Sequence, residues 1–241
     1  MAPTRSCTAS KGPAKGSKTG RIRKGRRMTS EDDEQDQRDD QSLREDIVRH
    51  EWAQFQGVNN EGGPANCQGN WPIFHQMRLS QFMTWPADLL SSYGDDLNQA
   101  DATGRNLLTE KYGRMMESTV PDQYRRDIAP YLPKLGIERQ TRQEAIIDQQ
   151  VAWAKEFRER YPRLGREMRV LRTSQDTPDS TSFETYLRGE LSTYSARTLG
   201  LYERMIADMA SQGRNLTAET ILFTVKQNGF NSLDEAEQAQ P

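Results

Sequence analysis

Apolar residues recur at helical spacing from about residue 43 onward, whereas a convincing strand-like alternation of apolar and polar residues is absent from the sequence. The first segment, LREDIVRHEWAQF, carries one apolar stripe and ends at Gly57. A loop rich in Gly, Asn and Pro, VNNEGGPANCQGN, follows it. This pattern predicts an all-α fold.

The segment WPIFHQMRLSQFMTW is apolar nearly all round, which is typical of a central helix. Its apolar positions are Trp71, Phe74, Met77, Phe82 and Trp85. Arg78 and Gln81 share one face of this helix at i, i+3 spacing. A buried arginine needs a carboxylate partner, so we expect one for Arg78. The candidate partners are Glu110, Glu184 and Glu190.

Further helices are predicted downstream, joined by short connectors such as PYLPKLG. One follows Pro86, the next occupies GRNLLTEKYGRMMEST, and a third runs over 138–160. A fourth runs from 181 to about 212, and the last two occupy LTAETILFTVKQNG and SLDEAEQ. Gly229 stands where a helix C-cap favours glycine. No internal repeat is visible, so we predict that residues 43–240 form a single compact multi-helix domain.

Composition separates an N-terminal tail, residues 1–42, from this domain. Residues 1–30 carry nine basic residues and no acidic one, which leaves 24 basic and 35 acidic residues, a net charge near −11, in the remainder. The tail has almost no aliphatic content and is predicted to be disordered. Its stretch GRIRKGRR fits three interpretations: a solvated tail, a phosphate-binding or nuclear-targeting patch, or part of a mitochondrial transit peptide.

The sequence argues against several classes of protein. No apolar run approaches the roughly 18 to 20 residues that span a bilayer, and no secretory signal is present, so we expect a soluble cytoplasmic protein. The two cysteines, Cys7 and Cys67, form no disulfide framework. With only His50 and His75 as histidines, we expect neither a metal site nor a cofactor.

The segment TSFETYLRGELSTYSARTLGLY mixes an apolar stripe with charged and hydroxyl residues. Thr181 and Glu184 have the spacing of a capping box, and Glu184 can also pair with Arg188 at i, i+4. Glu190, Ser192 and Ser195 have no comparable local explanation, because serine is unfavourable inside a helix. We therefore predict that the middle of this helix forms a wall of a binding pocket.

Other polar residues allow two interpretations each. Glu110, Lys111, Arg114 and Glu117 form either a solvated helix face or part of a site. Cys67, near a predicted helix N-terminus, is either a small packed residue or a reactive thiolate. His75 is better explained as a hydrogen-bonded core residue than as a general base. A carboxylate-rich interior suits a cationic ligand, since a guanidinium takes bidentate carboxylate partners.

Three blocks carry a resemblance to a known family: EWAQFQGVNNEGGPANCQGNWPIFHQMRLSQFMTW, GRNLLTEKYGRMMEST and TSFETYLRGELSTYSARTLGLY. They resemble a widespread helical domain of unknown function that includes the fungal arginine-containing cyclodipeptide synthases. The resemblance covers nearly all of residues 45–237. It implies that arginyl-tRNA and a second aminoacyl-tRNA supply the two halves of a diketopiperazine, cyclo-Arg-Xaa.

This resemblance implies an enzyme that orients the amine, accepts its proton and stabilises the oxyanion, without ATP or a metal. Glu184 or Glu190 would hold the arginine guanidinium, with Glu110 as a further partner, and Glu117 would accept the proton. Arginines would orient these carboxylates or meet tRNA phosphates, namely Arg78, Arg114 and Arg188. A covalent route would need a nucleophile, for which Cys67, Ser192 and Ser195 are candidates. Gln81, Tyr194 and Ser195 complete the expected substrate-binding set.

A basic run within FRERYPRLGREMRVLR is the best candidate for a tRNA contact, although a solvated helix end explains it equally well. Its members are Arg158, Arg160, Arg163, Arg166, Arg169 and Arg172. Two other functions remain open at this level. One is a helical protein that binds a cationic metabolite or peptide without chemistry, and the other is a nucleic-acid adaptor that acts through the basic tail.

Overall fold

A computed structural model describes the backbone of residues 30–58 and 66–241, and the side chains of 38–58 and 68–241. Residues 1–29 of the predicted tail, including the stretch GRIRKGRR with its suggested roles, lie outside the described residues. The side chain of Cys67 also lies outside them. Within the described residues the structure contains eleven α-helices and no strand, which confirms the all-α prediction. The helices are α1 Ser30–Gln56, α2 Trp71–Phe82, α3 Ala87–Ala102, α4 Leu107–Thr119, α5 Pro121–Gln123, α6 Ile137–Arg160, α7 Pro162–Arg166, α8 Phe183–Leu191, α9 Ala196–Ser211, α10 Leu216–Gln227 and α11 Leu233–Ala239.

The helix ends follow from local sequence. Side chains of Asn and Ser cap several N-termini by accepting a backbone N–H, because the first turn of a helix leaves its amides without partners. These caps are Asn70, Asn106, Ser182, Ser195, Asn215 and Ser232. After α10, Gly229 has φ 92°, a left-handed conformation that glycine adopts without steric strain, and the predicted C-cap is confirmed.

The core is an aromatic cluster enclosed by α1, α3, α6, α8 and α9. Trp85 is 2% exposed and lies with its ring centroid 5.5 Å from that of Tyr202 and 6.1 Å from that of Tyr194. Tyr93 lies 5.3 Å from Tyr194 by the same measure. Most of these pairs meet edge to face, the geometry that aromatic quadrupoles favour.

The predicted helix from 181 to about 212 is wrong in one respect, because the structure contains two helices there. Helix α8 ends at Leu191 and α9 begins at Ala196. Ser195 lies between them as the N-cap of α9, and its Oγ accepts a hydrogen bond from the Thr198 amide at 3.2 Å. The Ser195 amide in turn donates to Asp96 at 2.8 Å. These contacts fix the break and explain a serine inside an apolar stripe.

The predicted capping box at the start of α8 is also corrected. The N-cap is Ser182, whose Oγ accepts from the Thr185 amide at 3.1 Å, rather than Thr181. Glu184 instead accepts a hydrogen bond from the Thr173 amide at 2.9 Å. The carboxylate of Glu184 therefore ties α8 to the loop before it.

Two further differences concern α1 and α2. Helix α1 begins at Ser30, earlier than the predicted residue 43, so the prediction of disorder is wrong for residues 30–42. This stretch is acidic, which favours a helix N-terminus. Helix α2 is not buried all round, because Ile73 is 53% and Met77 is 59% exposed on one face. The opposite face carries Phe82 and Arg78, which are buried as expected.

Candidate functional site

Arg78 lies at the centre of a buried charge network. Its guanidinium binds both carboxylate oxygens of Glu51, with Nε 2.6 Å from Oε2 and Nη2 2.5 Å from Oε1. The Tyr93 hydroxyl donates to the same carboxylate at 2.6 Å. Glu51 is 0% exposed, so its charge is fully withdrawn from water. Its position was readable in principle, since it occupies the apolar stripe of α1 four residues from both Ile47 and Phe55.

Glu190 is the second carboxylate of this network. It accepts from Lys111 Nζ at 2.7 Å, from Gln81 Nε2 at 3.0 Å and from the Tyr194 hydroxyl at 3.0 Å. Arg78 Nη1 lies 3.3 Å from both of its oxygens. A buried carboxylate partner for Arg78 is confirmed, and Glu190 is one of the three candidates. The bidentate partner, Glu51, was not among them, while Glu110 and Glu184 pair with other arginines.

The network is neutral in total charge and closed to ligands. Burial alone would raise the pKa of Glu190, but Arg78 and Lys111 hold that pKa far below its usual range, so the carboxylate stays ionised. Burial and then the neighbouring Glu190 carboxylate raise the pKa of Tyr194, which remains a neutral donor. Two carboxylates thus face two cations, Arg78 and Lys111, and the network joins α1, α2, α4 and α8.

A cleft of about 890 Å³ opens beside this network. Its walls are α4, the turns and connector between α5 and α6, the first half of α6, and α8. The residues used below are Arg114, Glu117, Tyr124, Lys134, Gln143, Glu144, Glu184, Arg188 and Ser192. The cleft is large enough for an amino acid side chain with its attached group.

One wall of the cleft, from α6 and α8, holds two carboxylates around one guanidinium. Arg188 binds Glu144 through two bonds of 2.7 Å, from Nε and from Nη2, and its Nη2 also lies 2.8 Å from Glu184 Oε1. Burial opposes ionisation of Glu184, but the Thr173 amide and Arg188 outweigh it and lower its pKa. Arg172 Nη1 also lies 3.9 Å from Glu184 Oε2 and 3.2 Å from Asp148 Oδ1. These three carboxylates and two guanidiniums together carry a net charge of about −1 at neutral pH.

The facing wall, from α4 and the connector, holds charged side chains that make fewer hydrogen bonds and ion pairs. Arg114 Nη2 donates to the Pro133 carbonyl at 2.5 Å, while its buried Nε has no hydrogen-bond partner in the described residues. Burial lowers the pKa of Arg114. Within the described residues, Glu117 and Lys134 form neither a hydrogen bond nor an ion pair. Burial and then the nearby Glu117 raise the pKa of the Tyr124 phenol.

The floor of the cleft contains an unpaired donor. Gln143 is 2% exposed, and its Nε2 has no hydrogen-bond partner in the part of the chain that the structure describes. A buried amide donor without an acceptor is costly, and a ligand oxygen would relieve that cost. Ser192 also lines the cleft, where its hydroxyl donates to the Arg188 carbonyl at 2.7 Å.

Asp176 fixes the loop that borders the cleft. It accepts from Ser118 Oγ and Thr185 Oγ1, both at 2.5 Å, and from the Ser182 amide at 2.6 Å. Burial opposes its ionisation, but these hydrogen bonds outweigh it and lower the pKa of Asp176. The loop is thereby joined to α4 and α8 at once.

The structure separates the predicted site residues that line the cleft from those that do not. Glu117, Glu184, Arg114, Arg188 and Ser192 line the cleft. Glu190, Arg78, Gln81 and Tyr194 belong to the buried network, Glu110 pairs with Arg105 through bonds of 2.7 and 2.8 Å, and Ser195 caps α9. The pocket wall predicted at Glu190 is therefore formed by its neighbours on α8.

Sequence reasoning missed Glu144, Gln143, Tyr124 and Lys134. The first two lie on a long helix whose polar residues resemble a solvated face. The connector PYLPKLG carries Lys134 and was predicted as a connector only. No local signal marks these residues, because distant segments bring them together.

Both histidines form hydrogen-bonded pairs with acidic side chains. His75 lies 2.9 Å from Glu45, and His50 lies 2.7 Å from Asp101, as hydrogen-bonded pairs. No group of three or more His, Cys, Asp and Glu side chains is arranged to hold a metal ion in residues 38–58 and 68–241. None of the described helices is long and apolar enough to cross a membrane.

The basic run begins in the last turn of α6 and is held mainly by neutral oxygens. Arg158 donates to the carbonyls of Met168 and Arg169, both at 2.9 Å. Arg169 itself donates to Thr181 Oγ1 at 3.1 Å. Arg163 donates to the carbonyls of Gln238 and Gln240, Arg166 donates to the Pro241 carbonyl, and Arg160 lies against the Tyr161 ring. Arg172 differs, because it lies near two carboxylates, 3.2 Å from Asp148 and 3.9 Å from Glu184.

Comparison with known proteins gives one match. A protein family described as a protein of unknown function (DUF4125) matches residues 41–238. Neither a curated protein nor a solved structure matches the chain.

Proposed function

The chain belongs to the DUF4125 family of proteins of unknown function, and we propose that this member is an aminoacyl-tRNA-dependent cyclodipeptide synthase that incorporates arginine. The resemblance of three sequence blocks to a helical domain family that includes the fungal arginine-containing synthases supports the proposal. The observation that carries it is the cleft, in which a carboxylate wall on α6 and α8 faces an unpaired carboxylate, Glu117.

The carboxylate wall suits the guanidinium of a substrate arginine. Glu144 and Glu184 share Arg188, while Arg172 lies 3.9 Å from Glu184 and nearer to Asp148, at 3.2 Å. The three carboxylates exceed the two guanidiniums by one charge, which a substrate guanidinium would balance. Glu144 remains accessible, with 46% of its side chain exposed. Glu184 thereby keeps the role that the sequence suggested for it, with Glu144 in place of Glu190 and Glu110.

Glu117 suits the role of the proton acceptor. An aminoacyl ester needs no further activation, so the reaction requires a neutral amine and a group that takes its proton. In the proposed step the amine nitrogen attacks the ester carbonyl, the bond from carbonyl carbon to ribose oxygen breaks, and the ribose oxygen leaves with a proton. A second such step closes the ring and releases the second tRNA.

Donors on the cleft wall suit the oxyanion formed during each step. The Nε2 of Gln143 and the Nε of Arg114 are both donors without partners in the described residues. Donors that are fixed before the reaction stabilise developing negative charge most effectively. Direct transfer between the two esters is the simpler route here, because the hydroxyl of Ser192 is already engaged by a carbonyl.

The basic run supports tRNA as the carrier of the aminoacyl groups. Guanidinium groups held by neutral carbonyl oxygens keep their full positive charge, and phosphates are attracted to such charge. The run ends at Arg172, next to Thr173 on the cleft wall. It would therefore direct the tRNA backbone toward the cleft.

One reconstitution tests the proposal. The pure protein is incubated with tRNA, amino acids and synthetases, and small products are analysed by mass spectrometry. Arginine-containing diketopiperazines that require active arginyl-tRNA synthetase are the expected result. If no diketopiperazine forms with any standard amino acid as the partner of arginine, the proposal is wrong. Tight arginine binding without product would favour a binding protein instead.

A further inference from the structure

Tyr131 is a bare aromatic ring at the edge of the cleft. It is 85% exposed, and Ile137 nearby in sequence is 82% exposed. Ala129, two residues before Tyr131, and Leu132, directly after it, line the cleft. The structure gives Tyr131 no hydrogen bond or ring contact within the described residues. A large aromatic surface is thus presented to solvent where a cleft-bound ligand would emerge.

The backbone that carries Tyr131 is held rigid. Pro130 and Pro133 flank it and fix their own φ angles. The Pro133 carbonyl is bound by Arg114 at 2.5 Å. Helix α4 approaches this segment closely, since a Cβ on Gly113 would lie 3.0 Å from Ile128 Cγ2. A ring on a fixed backbone loses little conformational entropy when it binds a partner.

A cation accompanies the ring. Lys134 stands three residues after Tyr131, lines the cleft and is exposed. It forms no ion pair within the described residues, so its charge is available to a ligand. An exposed ring beside a free cation is the combination that binds single-stranded nucleic acid, through base stacking and phosphate contact.

We propose that Tyr131 stacks on the unpaired terminal base at the 3′ end of the tRNA and that Lys134 binds an adjacent phosphate. This inference rests on the proposed function. An aminoacyl group is esterified to the terminal ribose, so when it occupies the cleft the terminal base lies at the cleft edge, within a few bonds. Stacking on a base face tolerates any base, which suits an enzyme that accepts two different aminoacyl-tRNAs.

The test is a binding titration with uncharged tRNA and with the same tRNA lacking its terminal nucleoside, measured by fluorescence anisotropy. Tyr131→Ala is expected to weaken binding of the complete tRNA about tenfold, the loss expected for one stacked base, and to leave binding of the shortened tRNA unchanged. Tyr131→Trp should bind the complete tRNA as well as the wild type. Met77→Ala, which removes an exposed apolar side chain on α2, is the control.

The salt dependence tests Lys134 separately. Lys134→Ala should reduce the magnitude of the slope of log affinity against log salt by about 1, the change expected when one phosphate contact is lost. Lys226 is an exposed lysine on α10, and Lys226→Ala should leave the slope unchanged. The inference is overturned if the wild type does not bind tRNA, or if Tyr131→Ala affects both tRNAs equally or neither. An affinity loss for a protein ligand instead would assign the ring to a protein interface.

The two proposals fail in different ways. If diketopiperazine forms but the wild-type protein binds the complete and the shortened tRNA equally well, the stacking role is rejected and the synthase proposal stands. Base-dependent binding without any diketopiperazine would reject the synthase.

Discussion

Lys111 Nζ lies 2.7 Å from Glu190 Oε2, with only 4% and 3% of the two side chains exposed. Lys111 also lies 3.6 Å from the centroid of the Tyr186 ring, so the ammonium is enclosed by a carboxylate and an aromatic face. Such a pair contributes little net stability over apolar residues, but removal of one partner leaves a buried charge uncompensated.

Lys111→Met is therefore expected to lower the free energy of unfolding by about 3 kcal/mol, as for other broken buried pairs. The double variant Lys111→Met with Glu190→Gln restores neutrality, because Arg78 then pairs with Glu51 alone. Its stability loss should be at least 1 kcal/mol smaller than the sum of the two single losses. Urea denaturation followed by circular dichroism measures both, and strict additivity would show that the two side chains do not interact.

Gly189→Ala should destabilise the contact between α4 and α8. An added Cβ would lie 2.8 Å from the Lys111 carbonyl oxygen and 3.1 Å from Met115 Cγ, so the helices must separate. We expect a loss of about 1 to 3 kcal/mol, the range for overpacked sites. Gly136→Ala is the matched control, because a Cβ there meets nothing within 4 Å. Equal melting temperatures for the two variants would contradict the close approach.

Asp176→Asn should change the acid limb of the stability profile. Because the pKa of Asp176 is lower in the folded state, its contribution is complete above the unfolded pKa of about 3.9 and disappears as pH falls through the folded pKa. The wild type should therefore lose more stability between about pH 5 and pH 2 than the variant does. Thermal melts at several pH values measure this, with Asp179→Asn, an exposed neighbour, as the control. Parallel profiles would exclude the role of Asp176.

Glu117→Gln should abolish diketopiperazine formation or lower its rate at least about 100-fold, the usual contribution of a general base. The fold should be unaffected, because Glu117 is exposed and forms no hydrogen bond or ion pair in the described residues. Glu167→Gln, at another exposed position, should retain full activity. The readout is the initial rate in the reconstituted assay, and an active Glu117→Gln would assign the proton transfer to another group.

The fold could be predicted from the sequence where helical periodicity was strong and where proline or glycine marked the helix ends. The spacing of Ile146, Trp153 and Phe157 predicted α6 almost to its ends. The break between α8 and α9 was missed because the apolar stripe continues through it. The serines noticed there as unfavourable were in fact the signal, since Ser195 is a cap.

The candidate site was only partly readable, for a physical reason. Glu184 and Arg188 are four residues apart, so their pairing follows from helix geometry. Glu144 joins them across 44 residues of chain, and no local rule specifies that contact. The same holds for Glu51 and Arg78, which are 27 residues apart, because charge alone does not identify which of many glutamates is buried.

Consecutive residues of α8 lie in different places, some lining the cleft and the next one buried in the charge network. Arg188 and Gly189 face the cleft, while the adjacent Glu190 is held by the buried charges. Any rotation of α8 that widened the cleft would break the contacts of Glu190 with Lys111 and Arg78. Widening of the cleft at this wall is therefore opposed by the free energy needed to separate buried opposite charges.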